Sequence, residues 1–263
     1  MSAFWSRLVV SLLLLPPVLG LVWLGGWWLF TAALAAGLFA LHELYAMGRS
    51  LRPIVLAGYI GLVLTLVGMQ TGGQPWLLGG LLSTMLVAFV VFGFSDARPS
   101  ATAAIALTVL GVLWVGGGLA HLLLLRDIPD DGQLVVFTVL LAVFADDTAA
   151  YVVGRTIGRH KMAPKISPGK SWEGFVAGTV AATAVAFFAM YDQGYLSNGE
   201  ALVLGATIAI ASAIGDLFES AIKRDLGVKD SGRVLAAHGG MLDRLDSLLW
   251  AGPAAFYVVL ALA

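Results

Sequence analysis

Apolar runs long enough to cross a membrane recur from one end of this 263-residue sequence to the other. A helix needs about 20 consecutive apolar residues to traverse a hydrocarbon core. In lipid, every backbone N–H and C=O must be satisfied within the protein, which favours helices for such segments. Laid along the chain, that ruler marks nine helices with approximate limits 8–24, 27–47, 53–69, 76–94, 101–125, 134–154, 174–191, 201–222 and 245–262. The expected fold is all-α: a polytopic integral membrane protein forming a single domain over 1–263. Charged residues make up 12% of the chain, against about 25% in an ordinary soluble domain. With no cysteine, disulfides, thiolate chemistry and sulfur-ligated zinc are excluded.

The basic residues set the orientation. With nine spans, Arg126 stands alone on one side. The other side receives Arg7, Arg49, Arg52, Arg98, Arg155, Arg159, Lys161, Lys165, Lys170, Lys223, Arg224, Lys229, Arg233 and Arg244. Basic loops stay in the cytoplasm, so the N-terminus and two basic loops, about 155–173 and 223–244, are expected there. Arg7 followed by Leu8–Leu15 has the look of a leader. Hydrophobicity continues past Trp23 without a small-residue cleavage site, so a retained first span is expected. Gly25-Gly26 joins the first two spans as a tight hairpin or an interruption. Trp23, Trp27 and Trp28 read as an interfacial belt. Gly174 and Gly178 read as a close helix-packing pair, and Gly116-Gly117-Gly118 as packing or a local kink.

Against this apolar background, the stretch from Asp216 to Ser247 carries a dense set of charges. A charge inside a bilayer costs about 2.5–3.5 kcal/mol on insertion scales, so these acids need a partner. Asp216, Glu219 or Ser220, and Lys223 recur at i, i+3/i+4 and i+7 and share one helix face. Asp243, Asp246 and Ser247 share a face of the last span. If the two helices are neighbours, Asp216 and Asp243 face one cavity, where paired carboxylates suit magnesium. Between them lie Lys229-Asp230-Ser231-Gly232 and His238-Gly239-Gly240. The glycines permit close backbone approach, and the helix start that follows offers N–H donors to a phosphate. His238 is expected to touch phosphate or to order the loop.

A second polar block follows the sixth span: Asp146-Asp147-Thr148-Ala149-Ala150-Tyr151, then Ser167-Pro168-Gly169-Lys170-Ser171-Trp172-Glu173-Gly174. Gly169-Lys170-Ser171 looks like the tail of a Walker A loop, but Pro164 stands where its first glycine belongs. A Ser/Lys/Ser cluster at a helix start is still a workable phosphate grip. One of Asp146 and Asp147 is expected to face the cavity, the other to cap or to pair with Arg155. His42-Glu43 reads as a helix-packing or interfacial pair.

These residues resemble a known signature. Ser220-Ala221-Ile222-Lys223-Arg224, Lys229-Asp230-Ser231-Gly232 and His238-Gly239-Gly240-Met241-Leu242-Asp243-Arg244-Leu245-Asp246 are similar to the motif of phosphatidate cytidylyltransferases, also called CDP-diacylglycerol synthases. The stretch from Asp147 to Tyr151 and that from Ser167 to Gly174 resemble the family's second block. Ala236, Gly169 and Ser171 depart from its usual residues. The resemblance implies transfer of CMP from CTP to phosphatidic acid, giving CDP-diacylglycerol and pyrophosphate for phospholipid biosynthesis. It implies magnesium held by Asp216 and Asp243, with Asp246 as a further candidate, and leaves room for a monovalent cation such as K+. It implies a homodimer and no nucleic-acid partner. Catalytic roles fall to Asp216, Asp243, Asp246 and Lys223. Substrate contacts fall to Asp147, Tyr151, Ser167, Lys170, Ser171, Glu173, Ser220, Arg224, Lys229, Asp230, His238, Gly239, Gly240 and Arg244; Asp147 is the favoured member of its pair. The setting is a bilayer, that of a bacterial cytoplasmic membrane, with the site facing the cytoplasm. A CTP-dependent lipid kinase and a cation-coupled transporter are the alternatives.

Overall fold

The computed structural model describes residues 16–94, 100–232 and 239–262. Among them are eight helices long and apolar enough to span a membrane: α1 Gly26–Met47, α2 Val55–Gly72, α3 Gln74–Gly93, α4 Ala101–Arg126, α5 Gly132–Thr156, α6 Trp172–Met190, α7 Asn198–Asp225 and a last span at Leu242–Leu262. The last is split into a short α8, Leu242–Leu245, and α9, Leu248–Leu262. Of the ninth expected span, 8–24, residues 8–15 lie outside the described residues; the other part, 16–24, is helical. The protein is an all-α polytopic membrane protein. Its surface supports this directly: Leu86, Phe89, Phe94, Val180, Phe188 and Leu260 are all exposed, a distribution that water would penalise and lipid accepts. Trp23, Trp27 and Trp28 are exposed too, as suits an interfacial belt.

The chain divides into two compact units. The first comprises 1–126 and 230–243. Here helix 16–24 meets α1 through a single non-helical residue, Gly25, at φ 61°, a conformation that glycine adopts without steric cost. Arg126 donates from Nε to the Val22 carbonyl at 2.9 Å and from Nη2 toward that of Trp23. The single basic residue assigned to its side of the membrane therefore caps a helix C-terminus. Arg126→Ala should cost about 0.3–1 kcal/mol, read as a small fall in melting temperature in detergent. Tyr45 donates to the Thr108 carbonyl at 2.8 Å and His42 Nδ1 meets the Tyr59 hydroxyl at 2.8 Å, tying α1 to α4 and α2. Residues 112–116 of α4 make a π-turn, buried except at Leu113, that ends at Gly116 and leads into Gly117-Gly118.

The second unit comprises 127–229 and 244–263. Helix α6 presents Gly174, Gly178, Ala182 and Ala186 as a buried stripe, and small residues let helices approach closely in lipid. A Cβ at Gly174 would fall 2.7 Å from the Ala150 carbonyl of α5, and one at Gly178 would collide with the Asp146 side chain. The pair is thus used for packing within one chain. Gly178→Val should cost about 1–3 kcal/mol by overpacking, measured as lost thermal stability in detergent. Between α5 and α6, β1 Lys161–Ala163 and β2 Ser167–Ser171 form an antiparallel hairpin. Ser171 then caps α6, accepting from the Gly174 amide at 3.2 Å.

Candidate active site

Within the second unit, the two motif blocks meet. Lys170, at the end of β2, extends Nζ to Asp216 Oδ2 of α7 at 2.9 Å and to the Ala213 carbonyl at 3.2 Å. Asp147 and Asp246 both lie within electrostatic range of Asp216 and of each other, and Asp147 also feels Lys170 and Arg244. Gly215 makes this crowding possible: a Cβ there would stand 2.5 Å from the Asp246 carbonyl and 3.0 Å from the Trp250 ring. The last span interrupts its helix at Asp246-Ser247, where Asp246 Oδ1 accepts from the Ser247 amide at 2.8 Å. A short polar side chain that bonds nearby backbone competes with the helical ladder.

The shared face expected on α7 separates into two i,i+4 pairs. Ser220 Oγ points to Asp216 Oδ1 at 3.4 Å, and Lys223 Nζ meets Glu219 Oε2 at 2.9 Å. Glu219 is only 1% exposed and also interacts with Asp246. The adjacent acids of α5 part company. Asp146 is buried against Gly178, with the Ser212 hydroxyl facing it outside hydrogen-bond geometry. Asp147 is exposed. The pairing considered between one of them and Arg155 is replaced by another: Arg155 Nη1 donates to the Tyr151 hydroxyl at 2.6 Å. Glu173 holds the hairpin instead, accepting from the His160 amide and meeting His160 Nδ1 at 2.6 Å. Arg224 Nε donates to the Ile166 carbonyl at 3.3 Å, linking the end of α7 to the hairpin. Ser167 pairs with Ala163 in the hairpin, and Arg244 and Lys229 are exposed.

In the first unit, the remaining signature residues gather on Glu43 of α1, which is 2% exposed. Its Oε2 accepts from Ser231 Oγ at 3.1 Å and the Leu242 amide at 2.9 Å, while Oε1 accepts from the Met241 amide at 3.0 Å. Asp243 Oδ2 accepts from the amides of Ser231 at 3.1 Å and Gly240 at 2.8 Å. The helix start after Gly239-Gly240, which the sequence reading offers to a phosphate, carries the amides of Gly240, Met241 and Leu242. They are taken by carboxylates of the protein itself, because an apolar environment does not tolerate open donors. Gly239 has φ 82°, and a Cβ at Gly240 would collide with Glu43 and Ser231. These glycines thus serve the fold of the loop. Asp230 is exposed. His238 lies outside the described residues. Glu43, which the sequence suggests only for packing or the interface, and Glu219 are buried acids, each beside signature residues of its own unit; the signal for both is an acid inside an apolar run.

The donor chemistry suits a hard divalent cation. Asp147, Asp216 and Asp246 bring three carboxyl groups together in the second unit. Among the described residues no group of three or more acidic or imidazole side chains is arranged to hold an ion by itself. That is compatible with magnesium, which keeps several waters and binds through one or two carboxylates plus substrate phosphates.

Known proteins resemble this chain over most of its length. The family model described as the cytidylyltransferase family matches residues 5–262, and the chain belongs to that family. It is 33% identical over 257 residues to a phosphatidate cytidylyltransferase of Staphylococcus haemolyticus, covering 93% of this chain and 94% of the relative. A Brucella suis protein of the same name is 31% identical over 95% of this chain and 90% of its own length. One from Mycobacterium bovis is 43% identical over 135 residues, a match spanning 50% of this chain and 43% of the relative.

Proposed function

We propose that this protein is a phosphatidate cytidylyltransferase, transferring CMP from CTP to phosphatidic acid to give CDP-diacylglycerol and pyrophosphate. The observation that carries the reading is the 2.9 Å contact between Lys170 and Asp216, which joins the two motif blocks in one unit beside Asp147 and Asp246. The full-length likeness to the staphylococcal protein supports the same substrates.

In this reaction a phosphate oxygen of the lipid attacks the α-phosphorus of CTP. A new P–O bond forms, the α–β bridging bond breaks, and pyrophosphate leaves with its electron pair. No side-chain nucleophile is needed. The obstacle is mutual repulsion of two anions, so the protein's task is charge neutralisation and orientation. Lys170, Lys223 and Arg224 are proposed to hold phosphates, with Ser167, Ser171 and Ser220 as hydroxyl partners. Asp216 and Asp246, both in the second unit, are proposed to hold magnesium, which when bound would supply Lewis-acid stabilisation of charge on the phosphates; for Asp243, in the first unit, the catalytic role that the signature implies is proposed. Tyr151, Glu173, Lys229, Asp230, His238 and Arg244 belong to the substrate-contact proposal. A monovalent ion such as K+ belongs to it as well, and so does association into a homodimer.

The direct test is incubation of purified protein with phosphatidic acid, CTP and magnesium, with products identified by mass. CDP-diacylglycerol and pyrophosphate in equal amounts are expected; CDP as the nucleotide product would replace this reading by a kinase.

The bias of basic residues supports a bacterial cytoplasmic membrane with the site facing inward. The absence of cysteine makes this simple to probe. A thiol placed by Pro168→Cys in the hairpin should react with an impermeant maleimide only after the membrane is opened. One placed by Gln193→Cys should react from outside. Labelling in the reverse pattern would invert the topology.

A further inference from the structure

Glu43 accepts three hydrogen bonds in the first unit, and the family signature does not include it. It lies near the end of α1, far from the signature in sequence: Ser231 is 188 residues away and Leu242 is 199. Its side chain nevertheless gathers both arms of the loop, Ser231 on one side and Met241-Leu242 on the other. The surroundings are shaped around this carboxylate. A Cβ at Gly232 would fall 2.5 Å from Glu43 Oε1, and one at Gly240 would collide with the same group. Ser231 is shared: its hydroxyl goes to Glu43 and its amide to Asp243. Asp243 is also held by the Gly240 amide, next to the Met241 amide that Glu43 holds.

We propose that Glu43 is a positioning residue for the reaction: a buried carboxylate that clamps the two arms of the signature loop and so sets the posture of Asp243. This rests on the cytidylyltransferase reading and adds to it a residue outside both motif blocks. The chemistry requires a carboxylate there. Three converging donors need an acceptor on each oxygen. Glutamine keeps the size but turns an NH2 toward a donor, leaving one amide or hydroxyl unmet. Aspartate keeps the charge but is one methylene shorter.

The test compares wild type, Glu43→Gln, Glu43→Asp and Ser231→Ala in detergent micelles. Glu43→Gln should lower kcat by about 10- to 100-fold, the range seen when a group orienting a functional ligand is removed. Glu43→Asp should fall between it and wild type. A double variant, Glu43→Gln with Asp243→Asn, should be no slower than Asp243→Asn alone, because both changes act through one carboxylate. Multiplying losses, or unchanged kcat in Glu43→Gln, would overturn the proposal. A second readout does not depend on turnover. Amide exchange at Ser231, Met241 and Leu242 should speed up at least tenfold in Glu43→Gln, while α2 and α3 keep their protection. Slow exchange at those three amides would sink the clamp whatever the enzyme's substrate. Uniformly faster exchange throughout the first unit would reduce Glu43 to a general structural residue. If Glu43→Gln does not fold, Ser231→Ala removes one arm of the clamp and should give a smaller loss with the same local pattern. Wild-type protein that makes no CDP-diacylglycerol, yet shows the local exchange pattern, would remove the reaction and leave the clamp.

Discussion

Asp216→Asn should lower the formation of CDP-diacylglycerol by about 10²- to 10³-fold, the scale on which a preorganised electrostatic group contributes to catalysis. The substitution keeps the shape of the side chain and removes its charge. Three consequences follow from the geometry. Lys170 loses the anion that holds its ammonium at 2.9 Å, so the phosphate grip of β2 is no longer aimed. The acidic set with Asp147 and Asp246 drops by one charge and holds a divalent cation less well. The Ser220 hydroxyl at 3.4 Å still finds an oxygen, so the helix itself should persist. The expected pattern is therefore low kcat, a raised magnesium requirement and a melting temperature close to wild type. Assays across a magnesium series, with thermal unfolding on the same samples, separate these outcomes. Normal turnover at ordinary magnesium would remove Asp216 from the chemistry.

Glu219→Leu should produce the largest loss of stability, about 3–5 kcal/mol, the usual cost of removing one partner from a buried ion pair. Glu219 is almost fully enclosed and its Oε2 sits 2.9 Å from Lys223 Nζ. A leucine would strip Lys223 of that carboxylate while its stem stays half-buried on α7. The compensating experiment is Glu219→Leu with Lys223→Leu. Replacing both members of a buried pair by apolar groups of similar size is often neutral or stabilising, so the double variant should regain most of the lost melting temperature. It should not regain activity, since Lys223 is assigned to phosphate binding. If the single variant unfolds at the wild-type temperature, the pair contributes nothing to the fold.

The spans were legible because a bilayer imposes a length on each helix separately. Expected limits such as 101–125 and the observed Ala101–Arg126 differ by little, and no tertiary information was needed. The break at Asp246-Ser247 was not visible, since the apolar run does not say that the Asp246 side chain turns back to the Ser247 amide. Nor could the chain alone say which of Asp146 and Asp147 is enclosed. Adjacent helical positions point about 100° apart, and only the stripe of small residues on α6 makes one of those directions the interior.

Taken alone, the residues determined a helical membrane protein and the two polar blocks from which a nucleotide–lipid chemistry is built. Apolar length, charge bias and motif spacing are all properties of short segments. The tertiary structure decided the pairings: Lys170 with Asp216, Lys223 with Glu219, and Glu43 with Ser231, Met241 and Leu242. A buried carboxylate takes whichever donors the folded chain brings within about 3 Å. When those donors come from almost 200 residues away, nothing in the local sequence can name them.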